Sequence, residues 1–175
     1  MGRHKQGISA LQFQRDAGRN GRGVGKTGVA IAVERREKTA GAARLAVIPR
    51  ATTAVLTSFV QRSIRPEQST VFTDAWGSYT ALGRLGIDHR PRKGGHGRHA
   101  LDGLPWAHTI FGNLKTWLRG TFHGVSPKHL QRYLDEFTYR LDRRWREGEI
   151  FGFVLRRVAR GQPLPYRHLV AEGTA

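Results

Sequence analysis

A histidine and a lysine seven positions apart, His108 and Lys115, stand in a stretch that reads as helix (Leu104 to Arg144). Seven residues make two turns of an α-helix, so both side chains share one face. An imidazole can ligate a divalent metal or carry a proton, and an ammonium two turns away can hold a phosphate by charge. Asp74 stands 34 positions upstream of His108 (108 − 74), where the apolar run Ser69–Asp74 (STVFTD) gives out. A carboxylate at a strand end in an open α/β sheet commonly lies at a ligand-binding edge. An Asp also serves as a helix N-cap, and Trp76, Tyr79 and Leu82 follow it on a helix. Spacing alone allows either role. Asn113 is a second polar candidate, but it falls two residues before Lys115 and out of register with it.

The surroundings of these residues suit a polyanion. Lys115, Trp117, Arg119, Phe122 and His123 interleave basic and aromatic side chains, and the chain has a net charge of +17 with a pI near 11.5. Such a balance points to nucleic acid. A membrane-surface role is disfavoured by the lack of a basic amphipathic helix with a strongly apolar face. An RNA-binding role finds no aromatic-rich signature to support it. With no cysteine, the chain has neither disulfides nor zinc–thiolate sites, which suits the cytoplasm. No apolar run reaches the ~20 residues of a membrane span, and the polar, basic N-terminus does not read as a signal peptide. Its 175 residues make one domain in size.

The elements that must position these residues follow from periodicity. Gly28–Arg36 and Arg44–Pro49 read as strands of a hairpin with a turn over Glu37–Ala43. Thr52 and Thr53 start a helix with Val55, Leu56, Phe59, Val60 and Ile64 on one face, ended by Pro66. Ile87–Arg90 is a short strand. Lys93, His96, Arg98 and His99 lie in a basic loop over 91–103, without metal-ligand spacing. Ser126-Pro127 opens a helix bearing Leu130, Tyr133, Leu134, Phe137 and Leu141 at helical spacing. Ile150, Phe151, Val154, Leu155 and Val158 make a last amphipathic run, expected to pack on the sheet. Ile8–Arg15 has the composition of two helical turns. Gly21–Thr27 suggests a phosphate-binding loop, but position 20 is Asn where that motif needs Gly, and no buried strand precedes it. The loop is expected to be basic and mobile, with Arg22 and Lys26 free to contact phosphate.

Three segments carry a family resemblance: His-Thr-Ile-Phe-Gly-Asn-Leu-Lys (108–115), Gly-Thr-Phe-His-Gly-Val-Ser (120–126) and Lys-His-Leu-Gln-Arg-Tyr-Leu-Asp-Glu-Phe (128–137). They resemble the catalytic domain of ISXO-like bacterial insertion-sequence transposases of the DDE class. The resemblance implies an RNase H-like mixed sheet flanked by helices, and phosphodiester cleavage and strand transfer on DNA. Thr-Asp-Ala-Trp-Gly-Ser-Tyr (73–79) looks like the segment with the second catalytic Asp. The resemblance thus implies Asp74 and His108 as ligands of Mg²⁺ or Mn²⁺, with Lys115 as their phosphate-holding partner. Lys115, Arg119, Lys128 and Arg132 would contact DNA at element ends and target, and related enzymes act as multimers.

The same resemblance implies a gap. In the relatives, a longer helical region and a strand ending in the first catalytic Asp-Glu separate an ISALQ-type segment from the Gly/Arg/Lys-rich loop. Here Ile8–Arg15 passes directly into that loop, as after an internal deletion. The expectation is a basic, Gly-rich N-terminal remnant and loop (1–27), an incomplete catalytic domain (28–160) lacking its first carboxylate strand, and a tail (161–175). Ile8–Gln14 drawn into the gap as a strand, bringing Asp16 near Asp74, is the alternative. Two functions follow: a weak or inactive transposase, or a non-catalytic basic DNA-binding remnant.

Overall fold

The computed structural model describes residues 7–15 as backbone, and residues 27–65, 69–92, 103–122 and 125–167 in full. Gly28–Arg35 (β2) and Ala40–Ile48 (β3) pair antiparallel, from Gly28↔Ile48 to Arg35↔Ala40. β2 is buried on both faces: Ile31 and Val33 point to one core, Ala30 and Ala32 to the other. The turn is shorter than the sequence suggests, with Arg36 N–H donating to the Thr39 carbonyl at 3.0 Å. β3 takes in the weakly β-prone Ala-Gly-Ala-Ala because β2 offers it a ladder.

The slot expected to be vacant is filled. Gly7–Arg15 (β1) lies between β2 and Thr70–Thr73 (β4), in a five-stranded sheet of order β3-β2-β1-β4-β5, with β5 spanning Asp88–Pro91. β1 is antiparallel to β2, from Ile8↔Glu34 to Arg15↔Gly28, and parallel to β4, from Gly7↔Thr70 to Leu11↔Thr73. The segment that reads as helix from its Leu, Gln and Ala content is therefore strand. Helix propensities differ by at most ~1 kcal/mol per residue. Two flanking strands facing an empty slot would leave a row of N–H and C=O groups unpaired, each costing about 1–3 kcal/mol once buried.

Thr53–Ser63 (α1) covers one face of the sheet together with a 3₁₀ segment, Gly77–Leu85. Thr52 caps α1, its Oγ1 accepting from Val55 N–H at 3.4 Å. Leu56, Phe59, Val60, Val71, Tyr79, Leu82 and Ile87 form that core. Pro105–Phe122 (α2) and Leu130–Asp142 (α3) cover the other face, bringing Ala107, Ile110, Phe111, Leu114, Leu134 and Phe137 onto Ile31, Val33 and Leu45. Ser126 makes no side-chain capping bond. The turn after it, Pro127–His129, is 3₁₀ and leads into α3.

α3 also shields the outer edge of β3. Gln131 Oε1 accepts from Val47 N–H (2.8 Å) and its amide nitrogen donates to the Leu45 carbonyl (3.2 Å). Asp142 Oδ1 accepts from Ala43 N–H at 2.9 Å, and Arg144 donates to the Ala40 carbonyl. Side chains thus take the place of a sixth strand, which protects an exposed edge.

Glu147–Arg160 (α4) departs from expectation. None of its residues is buried, and it does not pack on the sheet. Both faces of the sheet are already covered, by α1 on one side and by α2 and α3 on the other. No helix among the described residues is long and apolar enough to cross a membrane.

Candidate functional site

Asp74 follows the last residue of β4, and alternation sets its direction. Val71 packs with α1, whereas Phe72 packs on the α2 side. A period of two puts Asp74 on the face of Phe72, toward α2. The backbone there is unusual. Ala75 has φ of 61°, a left-handed conformation that a residue with a Cβ rarely adopts, and such strain gathers at functional sites. Trp76 N–H donates to Asp74 Oδ1 at 3.3 Å, and Ala75 N–H to Thr73 Oγ1 at 3.4 Å. The buried Thr73 hydroxyl is in turn hydrogen-bonded to His89 Nε2 at 2.9 Å. Asp74 therefore closes a local turn ahead of the 3₁₀ segment and does not cap a helix, since the N-cap position belongs to Trp76.

His108 sits in the first turns of α2, half-buried, on the flank of the stripe that packs on the sheet. Asp74 and His108 lie close enough for each charge to act on the other. Burial pushes the Asp74 carboxyl up, opposed by the Trp76 N–H, by its own backbone N–H and by the positive charge of His108. Burial pushes the His108 imidazole down, opposed by the negative charge of Asp74. At neutral pH the imidazole is accordingly neutral, with a lone pair to offer.

Along α2, His108, Gly112, Lys115 and Arg119 recur at four, three and four residues and so make one line. Lys115 is half-buried and Arg119 exposed. Gly112 adds no side chain, and a Cβ built there meets nothing within 4 Å, so the line holds an open notch between His108 and Lys115. Asn113 faces elsewhere and lines a groove against α3 and α4. Lys128 and Arg132 lie on the next helical stretch, at the start of α3. Asp16, Arg22, Lys26, the loop histidines His96 and His99 with Lys93 and Arg98, and His123 lie outside the described residues.

Sequence reading missed three features here. Gly112 is legible only once the line through His108 and Lys115 is drawn on the helix. Trp76, read as part of a helix, is 54% exposed beside Asp74, where an aromatic face can meet a base. His89 supports the strand end through Thr73, a contact across two strands that no local pattern signals.

The central strand brings no carboxylate. Residues 7–15 read GISALQFQR. Leu11 is level with Thr73, so the backbone position level with Asp74 is Gln12, whose partner in β2 is Ile31. Arg15 lies four residues beyond Leu11, about 13 Å along the strand. No group of three or more His, Cys, Asp or Glu side chains among the described residues could hold a metal ion. Asp74 and His108 offer one negative charge and one imidazole, which does not fit a two-metal centre with ions about 4 Å apart.

Comparison with known proteins places this arrangement. The catalytic core domain of BIV integrase has a similar fold, at a TM-score of 0.51 and 17% identity over 78% of this chain and 83% of that one. No curated protein sequence matches. The ISXO2-like transposase domain profile matches residues 5–142, which hold the whole sheet, α1, α2 and α3. An RNase H-like sheet with Asp74 at the end of β4 and His108 facing it from α2 is thus the setting of a chain that belongs to the ISXO2-like transposase domain family.

Proposed function

We propose that this chain acts in DNA transposition as a DNA-docking transposase domain whose metal-dependent cleavage is weak or absent. The observation that carries the reading is Gln12, level with Asp74 on a central strand that holds no carboxylate. A two-metal phosphoryl transfer needs more negative charge than Asp74 and His108 supply. If Mg²⁺ or Mn²⁺ binds, Asp74 and His108 are the residues to hold it, and Asp16 is the nearest acid in sequence to complete the set. The line His108–Gly112–Lys115–Arg119 supports phosphate docking, because it joins two cations to a notch without side chains. Lys128 and Arg132 extend the basic surface, and contacts of this kind position DNA without reading its sequence.

The test is a nicking assay on DNA carrying candidate terminal repeats, in Mg²⁺ and in Mn²⁺, with Asp74→Ala alongside. The expected result is no cleavage above the variant, with equal DNA binding in both proteins. Binding should weaken with salt, and Lys115→Ala with Arg119→Ala together should lower the slope of log K against log[salt] by about 2. Cleavage abolished by Asp74→Ala would refute the reading and mean that a further acid completes the site.

A further inference from the structure

The matched segment ends at residue 142, and α4 begins at Glu147. Ile150, Phe151, Val154, Leu155 and Val158 form an apolar stripe on this helix, with Phe151 78%, Leu155 56% and Val158 71% exposed. Ile150, Phe151 and Val154 form one wall of an open groove of about 840 Å³, facing Trp117, Phe137 and Leu141 of α2 and α3. A 14-residue helix is marginal in water without a covered face. Contiguous exposed apolar surface of this kind marks an interaction site.

The charges on α4 say what covers it. Glu147 and Glu149 lie in the first turn, Arg157 and Arg160 in the last. Glu147 stands in line with the stripe, since 147, 151, 154 and 158 repeat at four, three and four, and Arg157 flanks it at the other end. Arg156 is turned aside over Phe153, 5.1 Å from the ring centre. Glu149 is held by Arg146 at 2.5 Å in an exposed pair that contributes little and rearranges easily. Arg140 and Arg144 line the groove beside Glu147, but Arg140 is paired with Glu136 and Arg144 donates to the Leu141 and Ala40 carbonyls. Glu147 therefore faces a partner at that end and Arg157 and Arg160 at the other, so a partner of a single charge sign meets a like charge at one of them. DNA would meet the apolar stripe and Glu147. A second α4 running antiparallel satisfies both ends at once.

We propose that α4 is a self-association surface, and that two copies of this chain pair through antiparallel α4 helices about a two-fold axis near Val154. Ile150 of each copy then lies level with Val158 of the other (150 + 158 = 2 × 154). Glu147 of each lies beside Arg157 and Arg160 of the other, and the two helix dipoles oppose. Each contact occurs twice by symmetry. The net charge of +17 on each copy opposes association, and salt screens it.

The experiment is sedimentation velocity on the nuclease-treated full chain at about 0.3 M salt, where long-range repulsion and nucleic-acid carry-over are suppressed. The wild type is expected to be dimeric. Phe151→Asp with Leu155→Asp should give monomers that still melt cooperatively, because neither residue is buried in the fold and only α4 loses its cover. Glu147→Arg should weaken the dimer at least ~10-fold, as should Arg157→Glu with Arg160→Glu, and mixing the two variants should restore association as a mixed dimer. A wild-type chain still monomeric at ~100 μM would overturn the proposal, as would a dimer lost on nuclease treatment. A dimer indifferent to Phe151→Asp with Leu155→Asp would refute the surface. Charge variants that fail to rescue each other would refute the antiparallel arrangement.

Discussion

Replacing Gln12 by Asp should turn the half-built acidic site into one that takes a divalent ion. Leu11 pairs with Thr73 on the neighbouring parallel strand, so one residue further along Gln12 comes level with Asp74. Adjacent strands lie about 4.8 Å apart, so the two carboxylates would stand roughly 5 Å from each other. At an effective dielectric constant of about 20 they repel by ~3 kcal/mol, from 332/(20 × 5). Asp on a strand adds up to about 1 kcal/mol. The metal-free variant should therefore be less stable than the parent by about 3–4 kcal/mol, within the 5–15 kcal/mol typical of a domain. A divalent cation between the carboxylates removes the repulsion, and ~3 kcal/mol is about two orders of magnitude in affinity. Isothermal titration with Mn²⁺, run beside thermal melts with and without the ion, reads both effects. Gln12→Asn controls for the strand, and Gln12→Asp combined with Asp74→Ala controls for the background of the chain's eight histidines. If Gln12→Asp binds Mn²⁺ no more tightly than Gln12→Asn, the register argument is wrong. A gain that survives Asp74→Ala would place the new site elsewhere.

Two further outcomes follow from the electrostatics and the edge contacts. By NMR titration, assigned by loss of the signal in His108→Gln, the His108 midpoint should fall below 6.5 and move lower still in Asp74→Asn, which removes the charge that raises it. Because folding depresses this histidine, its contribution to stability is present above about 6.5 and is lost as pH falls through the folded value; a midpoint above 6.5 would contradict the burial argument. Gln131→Ala should cost about 1–3 kcal/mol in urea unfolding by leaving Val47 N–H and the Leu45 carbonyl unpaired. It should also promote aggregation through the bared β3 edge, and a variant as stable and soluble as the parent would show that α3 does not guard that edge.

Much of this molecule is local and could be read from the sequence. β2, β3, α1 with its Thr52 cap, α2 and α3 follow from apolar periodicity and from Pro and Ser/Thr punctuation. Periodicity places Asp74 at a strand end and His108 on a helix face, the family resemblance pairs them, and the structure sets the two side chains within reach of each other's charge. The shape of the Asp74 turn could not be read, since the left-handed Ala75 and the Thr73–His89 bond depend on β5 lying beside β4.

By itself the sequence determined the charge that suits a polyanion, the line His108–Lys115–Arg119 on one helix face, and the lack of a carboxylate in residues 7–15. Tertiary structure alone decided that Gly7–Arg15 is a strand, that Gln12 is the residue level with Asp74, and that α4 stands clear of the sheet. The physical reason is the same in each case. Propensity acts residue by residue and amounts to tenths of a kcal/mol, whereas an unfilled ladder between β2 and β4 commits many backbone groups at once. An amphipathic helix specifies only that its stripe be covered, and with both sheet faces already taken by α1, α2 and α3, the cover for α4 has to come from elsewhere.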